Sequence, residues 1–173
     1  MKLDSNSDTS ARYVSQIRCL IGLFIAGLVI SGITAFPLLH ELNLLAEMLG
    51  VGEVQHPDGH TGLAFWILGV REGLQLTYSR YPFIAYGTDW LAFGHLMIAV
   101  FFIGPFIDPV RNRWCLEAGL IACAGVIPLA LICGPIRQIP FYWRLIDCSF
   151  GVFGCVPLLL ALRLVRKIES IRS

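Results

Sequence analysis

Four histidines (His40, His56, His60, His95) and a small set of charged residues (Arg71, Glu72, Arg137, Arg144, Asp147) carry most of the chemistry this chain can offer. His95 is the sharpest of them. It lies inside an apolar stretch, about 8 Å beyond Trp90 at a helical rise of 1.5 Å per residue. An ionisable side chain in such a stretch is costly and is expected to face the protein interior. It serves either as a neutral imidazole bonded to a neighbouring carbonyl or carboxylate, or as a ligand or proton-handling group. His40, just beyond Pro37, is its one plausible companion for holding a haem. Two axial imidazoles must then face each other across the iron.

Asp147 follows Arg144 by three residues, so the two can share a helical face. They form a plain helix-end pair or, with Arg137 close by, a site for an anionic head group, since guanidinium suits phosphate and carboxylate. Arg71 and Glu72 are adjacent and do not face each other on a helix. Arg71 shares a face with Gln75, and Glu72 points either to solvent or toward Arg137 or Arg144. The run His56-Pro57-Asp58-Gly59-His60 hints at a metal site. Its Pro and Gly instead specify a turn, and zinc needs three or four ligands where only two histidines and one aspartate are local. No metal site is therefore expected, and the cofactor, if any, stays open.

Other chemistries find little support. The chain has no G-x-S-x-G, no Walker motif and no dinucleotide fingerprint. The six cysteines form no CxxC pair, against a zinc-ribbon or thioredoxin-like role. Cys133 and Cys148 fall at similar depths, as a disulfide or as ordinary packing. Eleven phenylalanines could line a quinone or lipid pocket, or simply face core and lipid. No basic-aromatic patch points to nucleic acid.

The elements that position these residues are apolar. The chain has 173 residues, 56% hydrophobic and only 14% charged, where soluble domains carry about a quarter charged residues. Four stretches, 19–39, 90–107, 118–136 and 145–162, are long enough, or nearly so, to cross a bilayer as helices. The expected fold is an all-α membrane protein, a four-transmembrane-helix bundle with one or two short interfacial helices in the 37–89 connection. Residues 1–16 read as a polar, mobile start, 17–167 as one membrane domain and 168–173 as a tail. The first stretch exceeds the usual apolar length of a signal peptide, so an uncleaved helix is expected.

Within the connection, Leu38, Leu42, Leu45 and Leu49 can share one helical face, with Gly50 and Gly52 ending the helix. A fifth crossing near 62–78 is disfavoured, because Arg71 and Glu72 interrupt its apolar run. Thr88 or Asp89 is placed to cap the second span, and Asp108-Pro109 to end it. Gly27, Ser31 and Ala35 recur at intervals of four, as do Ala118 and Ala122, with Gly125 nearby, and Gly151 and Cys155. Such small residues let membrane helices approach closely. Pro105, Pro128 and Pro157 fall inside spans, as kinks or as hinges.

With four crossings, nine basic residues lie on the side of both chain ends and four on the other. The positive-inside rule then puts both ends in the cytoplasm of what would be a bacterial inner membrane. Trp90, Trp114 and Trp143 start spans, as an interfacial belt does. The connection and most polar candidates fall on the outer side. Two function classes remain. One is a small non-enzymatic membrane module, an accessory subunit or a lipid- or partner-binding bundle. The other is a membrane redox protein or enzyme using an outer-leaflet His/Asp/Arg cluster, with haem or quinone. A transporter is a third, and would need to oligomerise to enclose a path. The bilayer is the expected partner, within a homo-oligomer or a larger membrane complex.

Overall fold

A computed structural model of the chain describes residues 2–172, with side chains described from Asp8 to Ile171. The described residues form helices and connections, with no strand. The helices are α1 (Lys2–Ala35), α2 (Leu38–Met48), α3 (Gly62–Arg80), a 3₁₀ turn (Pro82–Ala85), α4 (Tyr86–Phe101), α5 (Ile103–Ile107), α6 (Arg113–Ile136) and α7 (Phe141–Arg172).

Among the described residues four stretches are long and apolar enough to cross a membrane: Asp8–Ala35, Pro82–Ile107, Arg113–Ile136 and Phe141–Ile171. Their outward side chains confirm the solvent. Leu23 is 66% exposed, Phe101 72%, Ile121 65% and Phe153 74%. Apolar surface on this scale belongs against lipid, not water. The α3 helix is not among the four, in line with the charges that interrupt it.

The ends of the elements follow local chemistry. The first span stops at Ala35, short of residue 39, where Pro37 breaks the ladder and α2 starts afresh. The second begins earlier than expected. The 3₁₀ turn opens on Pro82 and leads directly into α4 at Tyr86. Thr88 and Asp89 therefore lie inside the first turn and are not caps; the Thr88 hydroxyl donates to the Ala85 carbonyl at 2.6 Å. Asp108 does end the span, extended at φ −131° and ψ 91° as a residue before proline should be.

Helices α2 and α6 close in the same way. After α2, Gly50 at φ 71° donates its N–H to Glu47 O at 2.9 Å, and Val51 to Ala46 O at 2.9 Å. After α6, Gln138 at φ 56° bonds Pro135 O at 3.1 Å and Ile139 bonds Gly134 O at 2.9 Å. Both are Schellman endings, which use the left-handed residue to satisfy the last carbonyls. The first has the glycine that conformation favours, and the second makes do with glutamine, followed by Pro140.

The chain divides into two compact units. One comprises the residues up to Leu28 and those from Met97 on; the other is Val29–Leu96. The first has a core of Ile17 and Ile21 from α1, Phe102, Leu116 and Cys123, and Leu158, Leu162, Val165 and Ile168 from α7. Here α6 and α7 pack intimately. A Cβ built on Gly151 would stand 2.6 Å from the Cys123 carbonyl oxygen, and one on Gly119 would stand 2.6 Å from Phe102 Cζ and 2.9 Å from Leu158 Cδ1. At Gly151 the blocking atom is backbone and cannot move aside, whereas at Gly119 the ends of two side chains would have to shift. Within the spans, Pro105 has no N–H for the Phe101 carbonyl, and the Cys115 thiol supplies a donor at 3.7 Å.

In the second unit, α2 and α3 share a core of Leu42, Ala46 and Ile67, flanked by Leu38, Val51, Trp66, Val70 and Leu74. The buried face of α2 is thus Leu38–Leu42–Ala46. Leu45 and Leu49, expected on it, are 41% and 43% exposed. The return of the chain through Val51 covers the 38–42–46 side and leaves the other apolar side bare. The α1 and α4 helices meet within this unit at Gly32, where a Cβ would lie 3.0 Å from Ala92 O.

Candidate functional site

The polar candidates gather most closely around the start of the α2–α3 connection. Arg71, midway along α3, is only 3% exposed. Its Nη1 donates to Gly52 O at 3.0 Å and its Nη2 to Val54 O. A buried guanidinium needs acceptors, and these backbone carbonyls serve its two Nη groups, while Nε is left unpaired. Arg71 is therefore the staple that holds the segment after α2 onto α3. One residue on, Glu72 Oε1 accepts from His56 Nδ1 at 2.7 Å. The two adjacent α3 side chains thus reach two different points of the same loop.

Beyond that loop lies a turn, as the Pro and Gly predict. His60 N–H donates to Pro57 O at 3.1 Å with Gly59 at φ 80°. His60 Nδ1 bonds the Asp58 carbonyl at 3.2 Å. The two histidines of the run thus have separate partners. Beside Arg71 a cavity of about 340 Å³ opens, lined by His40, Asn43, Glu47, Gly52, Gln55 and Gln75. His40 is on its exposed rim.

His95 sits on α4, half-buried, with Nδ1 donating to Leu91 O at 2.8 Å. A carbonyl only accepts, so Nδ1 carries a proton there, and the other ring nitrogen, Nε2, takes no part in this bond.

The remaining candidates belong to the first unit. Arg137 is the exposed residue at the end of α6. Arg144 lays its aliphatic stem on Gly134 and its guanidinium over the Phe141 ring, 5.7 Å from the centroid. Its Nε is buried without a hydrogen-bond partner. Arg144 and Asp147 share α7 but do not close to an ion pair. The ion pairs formed among the described residues are His56–Glu72, Arg113–Glu117 and Arg113–Glu169. All six cysteines, Cys133 and Cys148 included, are free thiols. No three His, Cys, Asp or Glu side chains among the described residues come together as a metal site would require.

One positioning residue carries no sequence signal. Arg18 donates from Nε to Phe106 O and from Nη2 to Ile107 O, each at 3.1 Å. It covers carbonyls that the end of α5 leaves unpaired, while Asn112 Nδ2 covers Gly104 O at 3.2 Å and Asp108 O at 2.9 Å. Its acceptors are backbone atoms, so no complementary residue type announces the contact.

Together, the fold and these residues define a polytopic, helical integral-membrane protein. Comparison with protein-family models, curated proteins and solved structures found no match for the chain.

Proposed function

We propose that this protein is a small non-enzymatic membrane module, whose α2–α3 unit recognises a partner or lipid at the membrane surface. The observation that carries the reading is how its polar candidates are used. Arg71 holds two loop carbonyls, Glu72 holds His56, His95 bonds its own helix and Arg144 lies along Gly134. A catalytic constellation needs its acid, base or nucleophile aimed at one reacting atom. These side chains instead fasten the chain. What Arg71 and Glu72 fasten is a folded unit with its own core, a polar cavity and a bare apolar side that includes Leu44, Leu45, Met48 and Leu49. An amphipathic helix with such a side suits an interfacial position.

A second reading rests on His95. Its Nδ1–H is anchored to a carbonyl and its Nε2 takes no part in that bond, the way ligating histidines are commonly oriented. An absorption spectrum of the detergent-purified protein separates the two. The module reading expects no Soret band. A Soret band that disappears in His95→Ala makes the protein a haem carrier and ends the module reading.

The orientation is also a proposal, with both chain ends in the cytoplasm, supported by the distribution of basic residues. In a background with the native cysteines replaced, Arg111→Cys should react with a membrane-impermeant maleimide only after the cells are permeabilised. Labelling of intact cells would reverse the orientation.

A further inference from the structure

The first unit holds a groove of its own. It runs between α1 and α7 in the first unit, open on one side, with a volume of about 710 Å³. Its walls are Gln16, Cys19 and Leu20 from α1, and Leu160, Arg163, Leu164, Arg166 and Lys167 from α7.

Two features give the groove a chemical direction. The first is its polarity gradient. On α7, Leu160 precedes Arg163 and Leu164 by about one turn, and Lys167 follows by another. On α1, Leu20 lies one turn further along than Gln16. Since both ends of this order line one groove, Leu20 and Leu160 form the end nearer the middle of the spans. Gln16, Arg166 and Lys167 form the end nearer the chain termini. The second feature is unspent charge. Arg113 is held by Glu117 at 2.9 Å and Glu169 at 3.1 Å, and Arg18 by two carbonyls. Arg163, Arg166 and Lys167 meet no carboxylate among the described residues. Lys167 Nζ lies 5.7 Å from the centre of the Tyr13 ring, which leaves its positive charge uncompensated.

We propose that this groove is a binding site for one anionic glycerophospholipid. The phosphodiester sits among Arg163, Arg166 and Lys167, where guanidinium and ammonium groups match its charge. An acyl chain lies along Leu164, Leu160 and Leu20. A zwitterionic lipid offers the same chain, but its choline or ethanolamine meets three cations that no carboxylate among the described residues pairs with. The groove therefore selects by charge and retains by apolar contact.

The test is native mass spectrometry of the whole protein in detergent, with phosphatidylglycerol or phosphatidylcholine of identical acyl chains added. The wild type should retain one phosphatidylglycerol with roughly tenfold preference, the scale expected from one or two basic contacts. The triple variant Arg163→Gln/Arg166→Gln/Lys167→Gln should retain both lipids equally. These side chains are exposed, so the fold tolerates the change. Arg111→Gln, an exposed basic residue outside the groove, should leave the preference intact. Equal retention of the two lipids by the wild type overturns the proposal, as does a preference that survives the triple variant. Displacement of the lipid by inorganic phosphate at the lipid's concentration would also overturn it, since the site would then be one for a free anion.

Discussion

Replacing Arg71 with alanine should release the segment between α2 and α3 while leaving the spans inserted. Two charge-assisted hydrogen bonds, to Gly52 O and Val54 O, disappear together. Hydrogen bonds to charged groups contribute about 1.5–3 kcal/mol each. The pair shares one donor and is not fully additive, so a loss of about 3 kcal/mol is expected. Removing the stem of a side chain only 3% exposed adds a void. The loss falls on a small unit whose core consists of Leu42, Ala46 and Ile67 with their flanking neighbours. Glu53 lies in the released segment and gives a convenient probe. Cleavage there by a glutamate-specific protease should accelerate roughly 100-fold, the factor that about 3 kcal/mol of local opening implies. Arg71→Lys keeps the charge but loses the fork, and should fall between. Wild-type cleavage rates in Arg71→Ala would show that the apolar core alone holds the segment.

The second large effect is expected at Gly151. Inside a helix, Gly→Ala ordinarily gains up to about 1 kcal/mol from propensity. At Gly151 the new methyl would stand 2.6 Å from the Cys123 carbonyl, a backbone atom that cannot rotate aside. The α6 and α7 helices must separate, at an overpacking cost of about 1–3 kcal/mol. Overpacking should win, and Gly151→Leu should be worse still. Gly125, in α6, has nothing within 4 Å of its would-be Cβ. Gly125→Ala should therefore be neutral or slightly stabilising. Unfolding by added SDS in mixed micelles measures both. If the two alanine variants shift alike, the tight crossing at Gly151 does not exist.

That contrast shows what the sequence could and could not convey. The spans were readable because lipid demands long runs without charge. Asp108-Pro109 marked the end of the second span and Gly50 the end of α2, whereas the first span stops before Pro37, earlier than the length of its apolar run suggests. Small residues were readable as a class, but not in their individual roles. Gly27 and Gly125 face open space, whereas Gly32, Gly119, Gly134, Gly151 and Gly154 are close approaches. Helical phase follows from spacing; which face meets which helix depends on tertiary packing. The same limit explains α2, whose apolar residues fit two overlapping faces.

The candidate site was legible in a different measure. Arg71 was visible as a charge in an apolar segment, but its acceptors are peptide carbonyls, which any sequence supplies. Glu72 finds His56, a residue whose own neighbourhood suggested a metal or a turn. Arg144 is near Asp147 in sequence yet spends its length on Gly134. Ion pairs read from spacing along one helix miss partners that the fold brings from elsewhere.

The core formed by Ile17 and Ile21 with Leu158, Leu162 and Val165 has a consequence for biosynthesis. Insertion of membrane helices precedes their packing. The α1 helix leaves the ribosome first of the spans and α7 last. Until α7 is released, α1 can pack against Phe102 and Leu116 but lacks the Leu158, Leu162 and Val165 half of this core. Arg18 waits less long, since the α5 carbonyls it holds are made before α6 and α7. Nascent chains halted before α7 should therefore be inserted yet remain prey to membrane proteases, and protection should arrive late in translation, when the final span docks.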